Sequence, residues 1–110
     1  MSDTFSSAYG TAAAATAVSV VLPAVAGQRR EIGGLTASVS GAASGPVQLS
    51  ITDGSTVVYD VDLSLAIGVP WVNTSLDFVS GVGNAVTIGI TAGAASSVLR
   101  LDVEYRDIPA

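Results

Sequence analysis

The chain has 110 residues, with four Arg, nine acidic residues, no Lys, His or Cys, and a net charge of −5. Charged residues make up 12% of it, against a usual value of about 25%, and the mean hydropathy is +0.60. A zinc site, a disulfide framework, a thiol nucleophile, a Ser-His-Asp triad, Schiff-base chemistry and a P-loop lysine are all excluded by this inventory. Four Arg against nine acids do not make a basic nucleic-acid footprint.

The length predicts one domain. Residues 1–15, rich in Ser, Ala and Thr, read as an N-terminal arm with Gly10 as a hinge and Phe5 and Tyr9 as its anchors. Residues 16–110 read as a β-sandwich domain. The arm either lies on a neighbouring molecule or folds over the edge of its own sandwich. The apolar stretch Ala12–Ala26 ends in an A-x-A-like triplet. No Lys or Arg precedes it, and Asp3 puts a negative charge where a secretory signal needs a positive one. The run is also shorter than the ~20 residues of a membrane span and carries Thr16 and Ser19.

From Thr16 onward apolar and polar residues alternate with a period of two, which predicts strands. The first covers Thr16–Leu22, with Val18, Val20 and Leu22 on one face, and Pro23 and Gly27 end it. Gln28-Arg29-Arg30 reads as a polar loop. The second strand is Glu31–Ser40, with Leu35, Ala37 and Val39 inward and a bulge expected at Gly33-Gly34. The third is Val47–Thr52, and Asp53-Gly54-Ser55 is a tight-turn signal. The fourth is Thr56–Leu63, with Val57, Tyr59, Val61 and Leu63 inward and Asp60 and Asp62 outward.

The fifth strand spans Trp71–Val79, with Val72, Leu76 and Phe78 inward and Trp71 as a core plug at its start. The sixth is Ala85–Thr91. The seventh is Ser96–Arg106, where Leu99, Leu101, Val103 and Tyr105 oppose Arg100, Asp102, Glu104 and Arg106. Seven such strands fit an all-β fold, an antiparallel β-sandwich or small jelly roll with an extended N-terminal arm. Half-polar alternation excludes a doubly buried parallel sheet.

Few outward positions carry charge; Ser, Thr, Ala and Gly fill most of them. Charge depletion marks the interior of protein interfaces, so the surface reads as one covered by other chains. Arg29 and Arg30, followed by Glu31, read as a contact to an acidic neighbour, with Arg suited to bidentate carboxylate pairing. The alternative is a solvated loop balanced by Glu31.

Little in the sequence points to chemistry. Asp53, Asp60 and Asp62 are the one acidic cluster, but no full ligand set for a hard cation is visible, and a solvated strand face accounts for them. A glycosidase would need two carboxylates in a cleft with aromatic platforms, and Trp71 is the one Trp. Gly81-Val82-Gly83-Asn84 is a turn, since no helix follows to make a phosphate site. No catalytic residue, cofactor or metal ligand is expected.

One resemblance emerges from these segments. The hairpin VQLSITDGSTVVYDVDL (residues 47–63) resembles that of small virion structural proteins of tailed bacteriophages. The flanking segments ATAVSVVLPAVAGQRREIGGLTASVS and GNAVTIGITAGAASSVLRLDVEYRD are similar in kind, so the resemblance covers about residues 16–106. It implies a capsid cement or decoration protein, a homo-oligomer with the trimer favoured, bound to the major capsid protein on the virion exterior and made in the host cytoplasm. No nucleic acid, membrane or cofactor is implied. The alternative is a receptor- or glycan-binding module of a head fibre, tail or baseplate. That alternative needs exposed aromatic side chains; Trp71 or Tyr59 beside a groove would favour it.

Overall fold

A computed structural model describes residues 5–110. These residues form nine strands and no α-helix: β1 (Ser6–Thr11), β2 (Val18–Leu22), β3 (Gln28–Ser40), β4 (Gly45–Asp53), β5 (Thr56–Leu65), β6 (Trp71–Asn73), β7 (Phe78–Val79), β8 (Val86–Ile90) and β9 (Val98–Pro109). Two antiparallel sheets result. The first has the order β1-β9-β3-β6, with β7 also pairing β3; the second has the order β2-β8-β4-β5. The chain is therefore an antiparallel β-sandwich, as the alternation predicts.

Between the sheets lies one apolar core. Val18, Val20 and Leu22 of β2, Leu49 and Ile51 of β4, and Ile88 and Ile90 of β8 face Leu35 and Ala37 of β3 and Leu99, Leu101 and Val103 of β9. Ile51, Ile88, Leu99 and Leu101 are fully buried, and each contributes about 1.5–3 kcal/mol relative to exposure.

The expected bulge is present and has a clear purpose. Arg30 and Ile32 face inward at even positions, while Leu35, Ala37 and Val39 face inward at odd ones. A regular strand cannot change parity, because successive side chains alternate faces. The β3–β9 register shifts between Ile32 and Gly34, and the extra residue restores the inward face.

The arm, for which two placements are expected, takes the second: residues 6–11 lie along the edge of their own sandwich, as β1, paired with β9 from Ser6↔Tyr105 to Thr11↔Arg100. The ladder satisfies backbone groups that a free arm would leave to water. Residues 1–4 of that expected arm, Asp3 included, lie outside the described residues. Several expectations need correction. Gln28–Arg30 is not a loop but the start of β3, and Arg30 is 5% exposed. Val57 is exposed, because the hairpin tip extends past a second register shift at Ile51/Thr52. The fifth expected strand divides into β6 and β7. Val72 faces outward opposite Thr36, while Trp71 opposite Ala37 packs on the core as expected of a plug.

The two outer faces differ sharply. On the second sheet the row Ser19–Gly89–Ser50–Asp60 runs from edge to edge, and Val21, Thr87 and Gln48 flank it. The charges there, Asp60 and Asp62, sit on the edge strand β5. On the first sheet the outer face carries Arg100, Asp102, Glu104 and Arg106 of β9 and Glu31 of β3. Charge that the sequence spreads thinly is gathered onto one face.

Candidate functional site

The charged outer face of the first sheet carries two hollows, and together with the strip that joins them they make up the candidate trough. Across its middle runs the row Tyr9–Asp102–Thr36–Val72, one residue from each of β1, β9, β3 and β6. Tyr9 is 62% exposed. Glu104 lies between Ser7 and Gly34 in the next outward row, and Arg100 lies between Thr11 and Ser38 on the other side.

A hollow lies at each end. One, of about 420 Å³, is walled by Phe5, Glu31, Gly33, Asp77 and Glu104 together with the β6–β7 loop. The other, of about 450 Å³, lies over Thr36, Ser38 and Ser40, between Arg100 and the β5–β6 loop of Ile67–Pro70. Ile67 and Val69 of that loop are 58% and 64% exposed. The outward positions from Arg100 to Glu104 span about 13 Å of strand at roughly 3.3 Å per residue.

Phe5 closes the acidic hollow. Its ring lies on Gly33, so closely that a Cβ there would come 2.7 Å from Phe5 Cε1. The Arg106 guanidinium sits 5.0 Å from the ring centroid and also pairs with Glu31 across the β3–β9 ladder. Glu31 is thus satisfied, whereas Asp77 and Glu104 have no cationic partner among the described residues. The trough therefore combines an exposed aromatic ring, carboxylate acceptors, the Arg100 guanidinium and several hydroxyls. Such a surface can hydrogen-bond a polyhydroxylated chain and cover its apolar faces.

Phe5 and Tyr9, expected as anchors, are brought together on this face. Of Arg29, Arg30 and Glu31, expected as a contact to an acidic neighbour, Arg30 is buried in its own chain, Glu31 pairs with Arg106, and Arg29 is exposed. Arg30 Nε is an ion-pair partner of Asp107 Oδ1 at 2.7 Å, Arg30 Nη2 donates to the Pro23 carbonyl at 2.6 Å, and the guanidinium lies 5.6 Å from the Tyr105 ring centroid. Arg29 Nη1 donates to the Ser80 carbonyl. These bonds tie β3 to the chain before and after it. The inward parity of Arg30 with Ile32 is the sequence signal for this, hidden by the reading of a loop.

The acidic cluster does not assemble either. Asp60 and Asp62 point outward from the second sheet, and no group of three or more His, Cys, Asp or Glu that could hold a metal occurs among the described residues. Asp53 is a structural tie. Its Oδ1 accepts from Asn84 Nδ2 at 2.9 Å and its Oδ2 from the Gly81 amide at 3.0 Å, which stitches the β4–β5 turn to the turn at residues 81–84. Asp62 alone of the Asp60/Asp62 pair lines a hollow, beside Pro46 and Gln48. Trp71 and Tyr59 are half-buried against the core, so the aromatic rings available to a ligand are those of the N-terminal segment.

No family model and no curated protein matches the chain. Among solved structures it is similar to one described as CBM4, at 16% identity over 94% of this chain and 71% of that one, with a TM-score of 0.48. A carbohydrate-binding module CBM36 in complex with calcium and xylotriose shares 16% identity over 87% of this chain and 76% of that one, with a TM-score of 0.40. A third, TmCBM61 in complex with β-1,4-galactotriose, shares 10% identity over 86% of this chain and 62% of that one, with a TM-score of 0.44. The protein is a small all-β sandwich.

Proposed function

We propose that the protein is a non-catalytic binding module that takes an extended sugar chain along the outer face of the first sheet. The observation that carries this reading is Tyr9, whose ring stands 62% exposed in the central row of a trough with a hollow at either end. A pyranose has an apolar face of C–H bonds and a rim of hydroxyls. The first stacks on an aromatic ring; the second bonds to Asp102, Glu104, Arg100 and the Thr36 and Ser38 hydroxyls. Binding energy comes from several modest contacts along a preformed surface.

The test is calorimetric titration against a panel of soluble neutral, acidic and amine-bearing polysaccharides. Binding to at least one chain is expected, with affinity reduced about tenfold or more by Tyr9→Ala, a loss of about 1.4 kcal/mol. Stability should stay within about 0.5 kcal/mol of the parent, as for other surface changes. Silence across the panel, or an unchanged affinity in the variant, overturns the reading.

A second reading draws on the other face. The outer surface of the second sheet is nearly uncharged, with Gly89 in a hollow of about 230 Å³ that Ser19, Gln48 and Ser50 also line. Charge-poor surface suits contact with another protein. Together with the resemblance of residues 47–63 to phage virion hairpins, it supports a capsid decoration role, with the major capsid protein as partner and trimers on the virion exterior. Gly89→Arg should abolish co-sedimentation with assembled heads, since a Cβ there makes only ordinary contacts, 3.6 Å from the Val18 carbonyl oxygen and 3.8 Å from Ser19 Cβ, and the long side chain would stand on the outer face, while Tyr9→Ala should leave it intact. The reverse pattern removes this reading in favour of the first.

A further inference from the structure

We infer that β1 exchanges between copies of this chain, so that the N-terminal strand of one molecule completes the first sheet of another. β1 is weakly anchored. None of its six residues is buried, and Ala8 is its one side chain packed against the core. It is held by its ladder to β9, by Phe5 lying on Gly33, and by the close approach of Gly10 to Ser19 and Val20. Every one of these contacts is made to the body of the domain. They are reproduced unchanged when the strand arrives from a second copy, the condition for a low-cost exchange.

The link between β1 and β2 differs between the two arrangements. It turns from the edge of one sheet to the edge of the other, and Ala15 within it is held at φ 59°, a left-handed conformation in which Cβ crowds the carbonyl. The turn is locked by Ala15 N–H donating to the Ser97 carbonyl at 2.9 Å and Thr16 N–H donating to the Ala13 carbonyl at 3.2 Å. Residues 13–17 are all exposed, and Ala12, which packs on the core and donates its N–H to the Leu99 carbonyl, moves with β1 and keeps those contacts in either arrangement. A short strained hinge favours exchange, because an extended link releases the strain. The five link residues 13–17, extended, reach about 17 Å, enough to pass to an adjoining molecule.

Phe5 and Tyr9 travel with the strand. Each trough in an exchanged dimer is then furnished with the aromatic rings of its partner, and two troughs are tied together, which raises avidity on a polymer. This consequence rests on the sugar-binding reading; the exchange itself does not.

The chain contains no cysteine, so a cross-link can report the exchange directly, with no sugar present. Ser7 and Glu104 are partners in the ladder, whereas Arg100 opposes Thr11. Full-length Ser7→Cys and Glu104→Cys variants are mixed at high concentration, incubated and oxidised, with Ser7→Cys plus Arg100→Cys as the out-of-register control. The expected result is a mixed disulfide dimer in about tenfold or greater excess over the control, since a disulfide demands Cα atoms within about 7 Å. Ala15→Gly, which removes the hinge strain, should lower that yield several-fold. Equal yields from the two mixtures, or no mixed dimer, overturn the exchange; an unchanged yield with Ala15→Gly overturns the hinge.

Discussion

Phe5 and Gly33 fit each other: the ring occupies the space that any side chain at position 33 would need, with Phe5 Cε1 2.7 Å and Cζ 3.0 Å from an ideal Cβ. The same glycine lies within the β-bulge that changes the parity of β3. One residue thus serves the core on one side of the sheet and receives the N-terminal segment on the other.

Gly33→Ala should therefore displace the Phe5 ring and leave the core intact, because the obstructing atoms belong to a side chain that can move. We expect a stability loss of about 1 kcal/mol or less, faster proteolysis near the N-terminus and weaker sugar binding. Urea unfolding and a timed protease digest check the two structural effects separately.

Arg30 should matter far more. It is 5% exposed, and its pairing with Asp107, the Pro23 carbonyl and the Tyr105 ring fills the end of the core. Arg30→Ala removes packing as well as charge. A fully buried pair broken in this way costs about 3–5 kcal/mol. The Asp107 side chain is 45% exposed and can return to water, so about 2–3 kcal/mol is expected. Asp107→Asn should cost clearly less than Arg30→Ala in the same denaturation experiment.

The Gly41 turn offers a sharper contrast. Gly41 has φ +81°, and a Cβ there would come 2.2 Å from the Ser96 carbonyl oxygen, a backbone atom that cannot swing away. Gly41→Ala should cost on the order of 3 kcal/mol. Ser96 stands across the contact at φ 67°. Ser96→Gly should raise stability by up to about 1 kcal/mol, since glycine adopts that conformation without a steric cost. Thermal melts of both variants give opposite shifts if this holds.

Asp60 and Asp62 have a protective role at an edge. β5 is a ten-residue strand paired on one side to β4. Long free edges template pairing with other chains unless charges interrupt them. Replacing both residues with Thr raises strand propensity and removes the charge. The double variant should aggregate at concentrations where the parent stays dispersed, as measured by light scattering, with near-parental far-ultraviolet circular dichroism.

Local features of this fold are largely legible in the sequence. The Asp53-Gly54 hairpin, the Gly33-Gly34 bulge and the alternation in β2, β4, β8 and β9 all depend on neighbours in the chain, so periodicity and turn chemistry reveal them. Arg30 is hidden from such a reading because a bulge three residues later reverses the parity that defines inside. Val72 reads as inward because it is apolar, and only its pairing with Thr36 decides that it faces out. The candidate site is less visible: Phe5 and Tyr9 stand out as the aromatic members of a polar segment, but nothing local shows that they share a face with Asp102 and Glu104.

The amino-acid sequence alone determined the all-strand character, the absence of thiol, imidazole and lysine chemistry, and the scarcity of charge. Tertiary structure decided which sheet each strand joins, because alternation reports only which side of a strand meets apolar surface and not which strand lies beside it. Apart from the β4–β5 hairpin, and β6 and β7, which both pair β3, consecutive strands here belong to opposite sheets. The trough is built from β1, β9, β3 and β6, segments distant in the chain that touch only when the two sheets close over one core.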